Sequence, residues 1–163
     1  MKALLAGVTA LAVLTCSSHL AAQDLATEIV GVWKCKGFAE KIMATGELNK
    51  PRGEHPTGTA TFSRGGHFTW IVMNDARKAP TGAMTDADRV ALFNSLAFGT
   101  GTYKVEGDKV SLRYDASWNQ AWTGTERVQT LQISGKVLTW TSAPFKLAGD
   151  KDAVAIFTYE RAE

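Results

Sequence analysis

The residues best suited to chemistry are Arg127 and Gln129, which occupy alternate positions in a segment with strand periodicity. Both side chains can donate hydrogen bonds to a carboxylate or carbonyl oxygen, and the arginine adds a positive charge. The pairing of neighbouring strands predicts four aromatic residues on the same face: Trp70, Tyr103, Tyr114 and Trp140. Aromatic surface with one orienting cation is typical of a site for a small apolar or amphipathic ligand.

Other interpretations of these residues stay open. Arg127 and Gln129 can belong to an internal hydrogen-bond network, and the aromatic side chains can fill a solid core. Trp118 and Trp122 lie in a connection and are expected at the rim of a ligand site or as its cover.

Three classes of function are therefore compatible with the sequence. The first is a binding module for a small hydrophobic or amphipathic molecule, acting as a monomer. The second is an enzyme of the isomerase or cyclase type that uses the same cavity, although no interior acid–base pair is evident. The third is an exported structural or interaction domain with a filled core. A cavity of ~300 Å³ or more would favour the first two classes.

Several other functions are not expected. After a leader is removed, the chain keeps only His55 and His67, without paired spacing, and so predicts neither a metal site nor a cofactor. No glycine-rich phosphate loop or serine nucleophile elbow is present. The formal net charge of +2 falls to +1 without Lys2, which gives no electrostatic footprint for nucleic acid.

Residues 1–22 predict a secretory signal peptide. Lys2 supplies the positive start, residues 3–14 form an apolar run too short for a lasting membrane span, and small residues end at Ala22. We expect cleavage after Ala22 or Gln23, a periplasmic or secreted protein, and one domain over residues 23–163. The composition gives no sign of a further membrane segment.

The chain has two cysteines, one in the leader and one in the domain that follows it. A lipoprotein cut before Cys16 is the alternative processing route, but Thr15 stands where a lipobox has a small residue. Cys35 is then the one remaining cysteine, so an intrachain disulfide cannot form. We expect it to be a small buried side chain beside Trp33 rather than a nucleophile.

Short runs rich in threonine, valine and aromatic residues, separated by turn residues, predict eight strands. Tight turns are predicted at residues 64–66, 107–108 and 134–135. The first turn predicts the pairs Phe62–Phe68 and Ala60–Trp70. The second turn predicts the pairs Val105–Val110 and Tyr103–Leu112. The third turn predicts the pairs Leu131–Leu138 and Gln129–Trp140. Each register gathers apolar residues on one face, and a slip by one residue would scatter them.

One segment has helical rather than strand spacing. Thr85 is a predicted N-cap followed by acidic residues, and the helix is expected over residues 86–97, ended by Gly99. It falls between strands three and four. The long connections, which include residues 44–56 and 116–124, alternate with the tight turns. The sequence therefore predicts an all-β, eight-stranded, up-and-down antiparallel barrel with one short helix and one end ringed by long loops.

Closure of the barrel is predicted from the first and last strands. Trp33 and Cys35 alternate with lysines in the first strand, and Gly31 leaves room beside the indole. Arg161 in the last strand is expected to lie over the Trp33 ring as a cation–π contact.

These features together resemble the bacterial lipocalin-like domain family, a distant member of the calycin barrels. The matching pieces are Gly31-x-Trp33, Pro56-Thr57-Gly58 before Phe62, Gly66-His67-Phe68, Gly101-Thr102-Tyr103, Trp118-Asn119 before Gly124-Thr125-Glu126, Ser134-Gly135 and Tyr159-Glu160-Arg161. The resemblance implies a β-barrel and little about activity. Family members often have adjacent histidines where this chain has Leu112-Arg113, and an arginine where it has Gln129, so functions tied to those groups do not transfer.

Overall fold

Eight long strands form a closed antiparallel wall in the computed structural model, which describes residues 25–162. The strands are β1 (Gly31–Ile42), β2 (Leu48–Asn49), β3 (Thr57–Phe62), β4 (His67–Met73), β5 (Leu96–Glu106), β6 (Lys109–Ser117), β7 (Glu126–Ser134), β8 (Val137–Ser142), β9 (Phe145–Leu147) and β10 (Lys151–Arg161). The order around the wall is β1-β3-β4-β5-β6-β7-β8-β10, and β10 pairs with β1. The predicted up-and-down barrel is confirmed. The predicted signal peptide lies outside the described residues.

The two short strands extend one end of the wall. β2 pairs with β1, and β9 pairs with the beginning of β10. Both lie within long connections, so they lengthen the wall on the side of the barrel away from the tight turns.

Alternation of apolar and polar residues explains the first two hairpins. In β4, the side chains of Phe68, Trp70 and Val72 are buried, because every second residue faces the interior. Phe68 lies opposite Phe62, and Trp70 opposite Ala60, as predicted. The predicted register of the β5–β6 hairpin is confirmed as well.

The third hairpin is shifted by two residues from its predicted register. The structure pairs Leu131 with Trp140 and Gln129 with Ser142, so the predicted pairs Leu131–Leu138 and Gln129–Trp140 are wrong. The turn begins at Gly135, whose φ of 58° suits the left-handed region, one residue later than predicted. Because the shift is two residues, the same side chains still face the interior.

The helix is shorter than predicted. Helix α1 (Asp86–Asn94) begins with the predicted cap, since the Thr85 side chain accepts a hydrogen bond from the Asp88 backbone in a capping box. The prediction that it continues to residue 97 is wrong, because Ala97 belongs to β5 and is buried opposite Val72. Gly99 is a strand residue rather than a helix stop. No residue of α1 is buried.

A bulge in β1 reverses which residues face inward. Trp33 and Cys35 are buried, but the pairing with β10 shifts between Cys35 and Gly37. Beyond the bulge, Phe38 is the buried residue instead of Gly37, and Glu40 follows on the same face. Simple alternation from Trp33 and Cys35 would continue to Gly37, but the bulge moves this glycine off the inner face.

The tight-turn end of the barrel is closed by the chain that precedes β1. Residues 25–28 are helical, and both Leu25 and Ile29 are buried in the core. The Trp33 indole N–H donates to the Ile29 carbonyl at 2.8 Å, and the ring is fully buried. Within residues 25–162, no helix is both long and apolar enough to cross a membrane.

Candidate functional site

A cavity of about 400 Å³ opens at the end of the barrel that carries the long connections. Much of its wall is aromatic. The ring centroids of Trp70 and Trp140 lie 6.1 Å apart, and Phe157 lies 5.8 Å from the first and 5.5 Å from the second. Strands β4, β8 and β10 place these three rings because each contributes an inward residue at this level.

Most of the residues predicted for the site line this cavity. They are Trp70, Tyr114, Arg127, Gln129, Trp140 and the two rim residues Trp118 and Trp122. Tyr103 does not line the cavity. It lies at the tight-turn end, where its ring contacts Phe62 edge to face and its hydroxyl donates to the Ser63 carbonyl at 2.9 Å. Tyr103 faces the interior opposite Leu112, as alternation along β5 predicts, but it lies too close to the tight turn at residues 107–108 to reach the cavity.

Tyr114 presents a neutral hydroxyl to the cavity. The Trp70 indole N–H donates to this hydroxyl at 3.2 Å, and Tyr114 is only 2% exposed. Burial raises the pKa of Tyr114 to about 12, so the phenol keeps its proton at neutral pH. No group in residues 25–162 accepts that proton, and the hydroxyl is therefore free to donate to a bound molecule.

The side-chain amide of Gln129 uses only one of its two hydrogen-bonding groups. Its side-chain oxygen accepts a hydrogen bond from the Trp140 indole N–H at 3.1 Å, and the residue is only 4% exposed. The amide nitrogen has no acceptor in the described part of the chain. A buried amide that lacks an acceptor favours a partner supplied from outside the protein.

Arg127 stacks on a rim residue instead of pairing with an acid. Its guanidinium carbon lies 4.5 Å from the Trp122 ring centroid. It belongs to β7, next to β6, and its charge acts on the Tyr114 phenol. Among residues 25–162 it has no ion-pair partner. Arg127, Gln129 and Tyr114 thus gather hydrogen-bond donors on neighbouring strands.

Two charged residues on another part of the wall were not predicted from the sequence. Glu40 and Arg52 both line the cavity. Arg52 donates from Nη1 to the Asn74 side chain at 3.0 Å, and its guanidinium lies 5.3 Å from the Phe38 ring centroid. Burial lowers the pKa of Arg52 and raises the pKa of Glu40, and each charge partly offsets the shift of the other.

Glu40 and Arg52 escape prediction from the sequence for different reasons. Arg52 lies in an irregular connection, where no periodicity indicates which side chains turn inward. Glu40 faces the cavity because of the β1 bulge, and the available signal was Gly37, since a glycine within a strand often marks a bulge. Glu40 places an acidic group in the cavity, so the lack of an interior acid no longer speaks against an enzyme.

The rim carries a further unpartnered donor. Trp118 lies 6.2 Å from Trp122 and 6.3 Å from Phe93 of α1, measured between ring centroids. Its buried indole N–H has no acceptor among residues 25–162. In that same part of the chain, no group of three or more histidine, cysteine, aspartate or glutamate residues is arranged to hold a metal ion.

Comparison with known families accounts for the barrel. A family model described as a lipocalin-like domain matches residues 30–162. The chain belongs to this lipocalin-like domain family. The match includes every strand of the lipocalin-like wall, from Gly31 in β1 to Arg161 in β10. The search of curated proteins returns no significant match.

Proposed function

We propose that this lipocalin-like domain binds a small, largely apolar molecule with a carboxylate or carbonyl group inside the barrel. The observation that carries the proposal is a cavity of about 400 Å³ in which Tyr114, Gln129 and Arg127 have unused donor capacity beside aromatic rings. A pocket of this size lies within the usual range for small-molecule sites, ~300–1,000 Å³. The open interior supports the binding class over a filled barrel.

Electrostatics favour an acidic group at the donor cluster. Arg127 is partly buried and has no acidic partner within the described residues, so an anion beside it regains Coulomb energy lost on burial. Tyr114 and Gln129 can add neutral hydrogen bonds to the same group. The rings of Trp70, Trp122 and Trp140 offer contact area for the apolar remainder.

Calorimetric titration with 2-naphthoic acid tests this proposal, with 2-naphthamide as a carbonyl probe and 2-methylnaphthalene as an apolar probe. The acid should bind saturably and more tightly than the hydrocarbon. Arg127→Gln should weaken binding of the acid by ~1.5–3 kcal/mol, which is the worth of a charged hydrogen bond. The matched control is Arg113→Gln, because Arg113 is exposed on the adjacent strand.

Two results would contradict the proposal in different ways. If none of the three probes binds saturably, the cavity is not a site for this class of molecule. If the acid binds with equal affinity to Arg127→Gln, the cavity is used but Arg127 does not contact the ligand.

The cavity enzyme remains the second candidate, and Glu40 is the observation in its favour. A carboxyl group with a raised pKa facing Tyr114 across the cavity could move a proton on a bound carbonyl compound. Exchange of ligand hydrogens with deuterated water, followed by NMR, would reveal such chemistry. Loss of exchange in Glu40→Gln would assign it to Glu40.

The leader predicted from the sequence also bears on where the domain acts. On the basis of the leader pattern in residues 1–22, we propose that the domain acts in the periplasm or outside the cell.

A further inference from the structure

We infer that the cavity ligand carries a second polar group, a hydroxyl, which Glu40 and Arg52 hold on the wall opposite Tyr114. The inference rests on the proposed binding function and narrows its ligand class to hydroxylated acids with a compact apolar body.

The strand order separates the two polar regions. Glu40 is on β1 and Tyr114 is on β6, and four steps separate β1 from β6 in either direction around the eight-stranded wall. Glu40 therefore faces Tyr114 across the cavity. Arg52, in the connection between β2 and β3, shares the electrostatic environment of Glu40. A ligand whose acid contacts Arg127 and Tyr114 must present its far end to Glu40 and Arg52.

Arg52 has a donor without an acceptor. Nη1 is occupied by Asn74, and the face of the guanidinium is occupied by the Phe38 ring. The Nε–H is buried and makes no hydrogen bond with any residue in the range 25–162. A buried donor without an acceptor costs about 1–3 kcal/mol, and a ligand acceptor that reaches this N–H would recover that cost.

Glu40, in contrast, has an acceptor without a donor. Glu40 lines the cavity, and no N–H or O–H among residues 25–162 donates to its carboxylate. The two residues do not form an ion pair within 4.0 Å in the described chain, although each perturbs the other electrostatically. The carboxylate needs a donor, while the nearby Nε–H needs an acceptor.

A hydroxyl is the smallest group of a ligand that can satisfy both. It donates its proton to the Glu40 carboxylate and accepts the Arg52 Nε–H through its oxygen. A second carboxylate would be repelled by Glu40, and an ammonium group would be repelled by Arg52 and cannot accept a hydrogen bond. The ligand acid prefers the other end, because Arg127 has no carboxylate beside it.

Three matched ligands test the inference on the unmodified protein: 2-naphthoic acid, 6-hydroxy-2-naphthoic acid and 6-methoxy-2-naphthoic acid. Their rigid body holds the two substituents at opposite ends. The hydroxy acid should bind at least about tenfold more tightly than the parent acid, as expected for hydrogen bonds to charged groups. The methoxy acid should show no such gain, because it cannot donate to Glu40.

Two variants locate the effect. In both Glu40→Gln and Arg52→Lys, the ratio of dissociation constants between the parent and hydroxy acids should fall to about threefold or less. Glu47→Gln is the matched control, since Glu47 is exposed in the adjoining connection, and it should keep the full ratio. Because the dissociation constants of both acids are compared within one variant, a change in overall affinity does not alter their ratio. Circular dichroism verifies that each variant is folded.

The outcomes separate this inference from the proposed function. If the parent acid binds and the hydroxyl adds nothing, the hydroxyl site is wrong and the binding function stands. The hydroxyl site would also be wrong if the hydroxy and methoxy acids gained equally in affinity over the parent acid. It would be wrong as well if both Glu40→Gln and Arg52→Lys kept the full ratio of dissociation constants. If none of the naphthoic acids binds, the proposed function fails, and the hydroxyl site fails with it.

Discussion

The guanidinium carbon of Arg161 lies 4.1 Å from the centroid of the Trp33 ring, at the end of the barrel away from the cavity. Arg161 also donates from Nη1 to the Val30 carbonyl at 3.1 Å and from Nη2 to the Glu28 carbonyl. One side chain thus covers the indole and binds carbonyls of the segment that precedes β1. Because β1 and β10 are the first and last strands of the wall, the contact stabilises its closure.

Arg161→Ala should lower the free energy of unfolding by ~1–3 kcal/mol, since it removes a cation–π contact and hydrogen bonds to two carbonyls. Urea unfolding followed by tryptophan fluorescence measures this change. Arg113→Ala is the control, because Arg113 is exposed and should change stability by no more than about 0.5 kcal/mol. An unchanged urea midpoint for Arg161→Ala would mean that the contact adds nothing to closure.

Stability should also fall at alkaline pH because of the tyrosines. Burial raises the pKa of Tyr114 from about 10 to about 12, and it raises the pKa of Tyr103 and Tyr159 as well. Since folding raises these pKa values, the unfolded chain loses its phenolic protons first. The stability contributed by neutral Tyr114 is fully present below pH 10 and is lost as the pH rises towards about 12.

A spectrophotometric titration checks this behaviour. The chain has three tyrosines, Tyr103, Tyr114 and Tyr159, and all three have raised pKa values. Native protein at pH 10 should therefore show less phenolate absorbance than protein unfolded in guanidinium chloride at the same pH. Tyr114→Phe should remove the native titration step near pH 12. Equal absorbance of native and unfolded protein at pH 10 would contradict the buried state of the phenols.

The barrel could be predicted from the sequence because its signals are local. In the β3–β4 hairpin, alternation and a three-residue turn specify the pairing of Phe62 with Phe68, and any slip by one residue exposes both rings. The contact between Arg161 and Trp33 can be predicted for a different reason, since closure of the barrel brings the first and last strands together.

Features set by tertiary contacts could not be predicted in this way. The spacing of Ala97 suits a helix, yet the residue joins β5 because burial opposite Val72 outweighs local propensity. A bulge near Gly37 turns Glu40 into the cavity. Tyr103 faces the interior opposite Leu112, but its position near a tight turn keeps it out of the cavity. Arg52 is positioned by Phe38 and Asn74 from other segments, and a sequence pattern cannot encode that contact.

Processing of the leader gives a further prediction. Expression in a Gram-negative host should yield a periplasmic protein that begins near Gln23 or Asp24, because small residues end the leader at Ala22. Intact-mass measurement after cell fractionation checks this expectation. A mature chain that begins at a lipidated Cys16 would instead establish membrane anchoring, and a cytoplasmic protein with residues 1–22 intact would exclude export.

Gly99 links the wall of the barrel to the shape of the cavity. It lies in β5 opposite Trp70, and a Cβ atom at this position would lie 2.3 Å from Tyr114 Cε1 and 2.9 Å from Trp70 Nε1. Both rings belong to the cavity wall and are joined by the 3.2 Å hydrogen bond between the indole N–H and the phenol oxygen. Only glycine leaves room for that pair.

Gly99→Ala should therefore lower the free energy of unfolding by ~1–3 kcal/mol, because an added methyl group forces tightly packed rings out of position. It should also weaken binding of 2-naphthoic acid, since the displaced Tyr114 ring enters the space that the ligand needs. Differential scanning calorimetry and calorimetric titration measure the two effects. Gly65→Ala is the control, because Gly65 lies in an exposed turn and its nearest atoms would be 3.8 Å from a Cβ. If Gly99→Ala matches Gly65→Ala in both stability and affinity, the rings move freely and the Trp70–Tyr114 pair does not define the cavity.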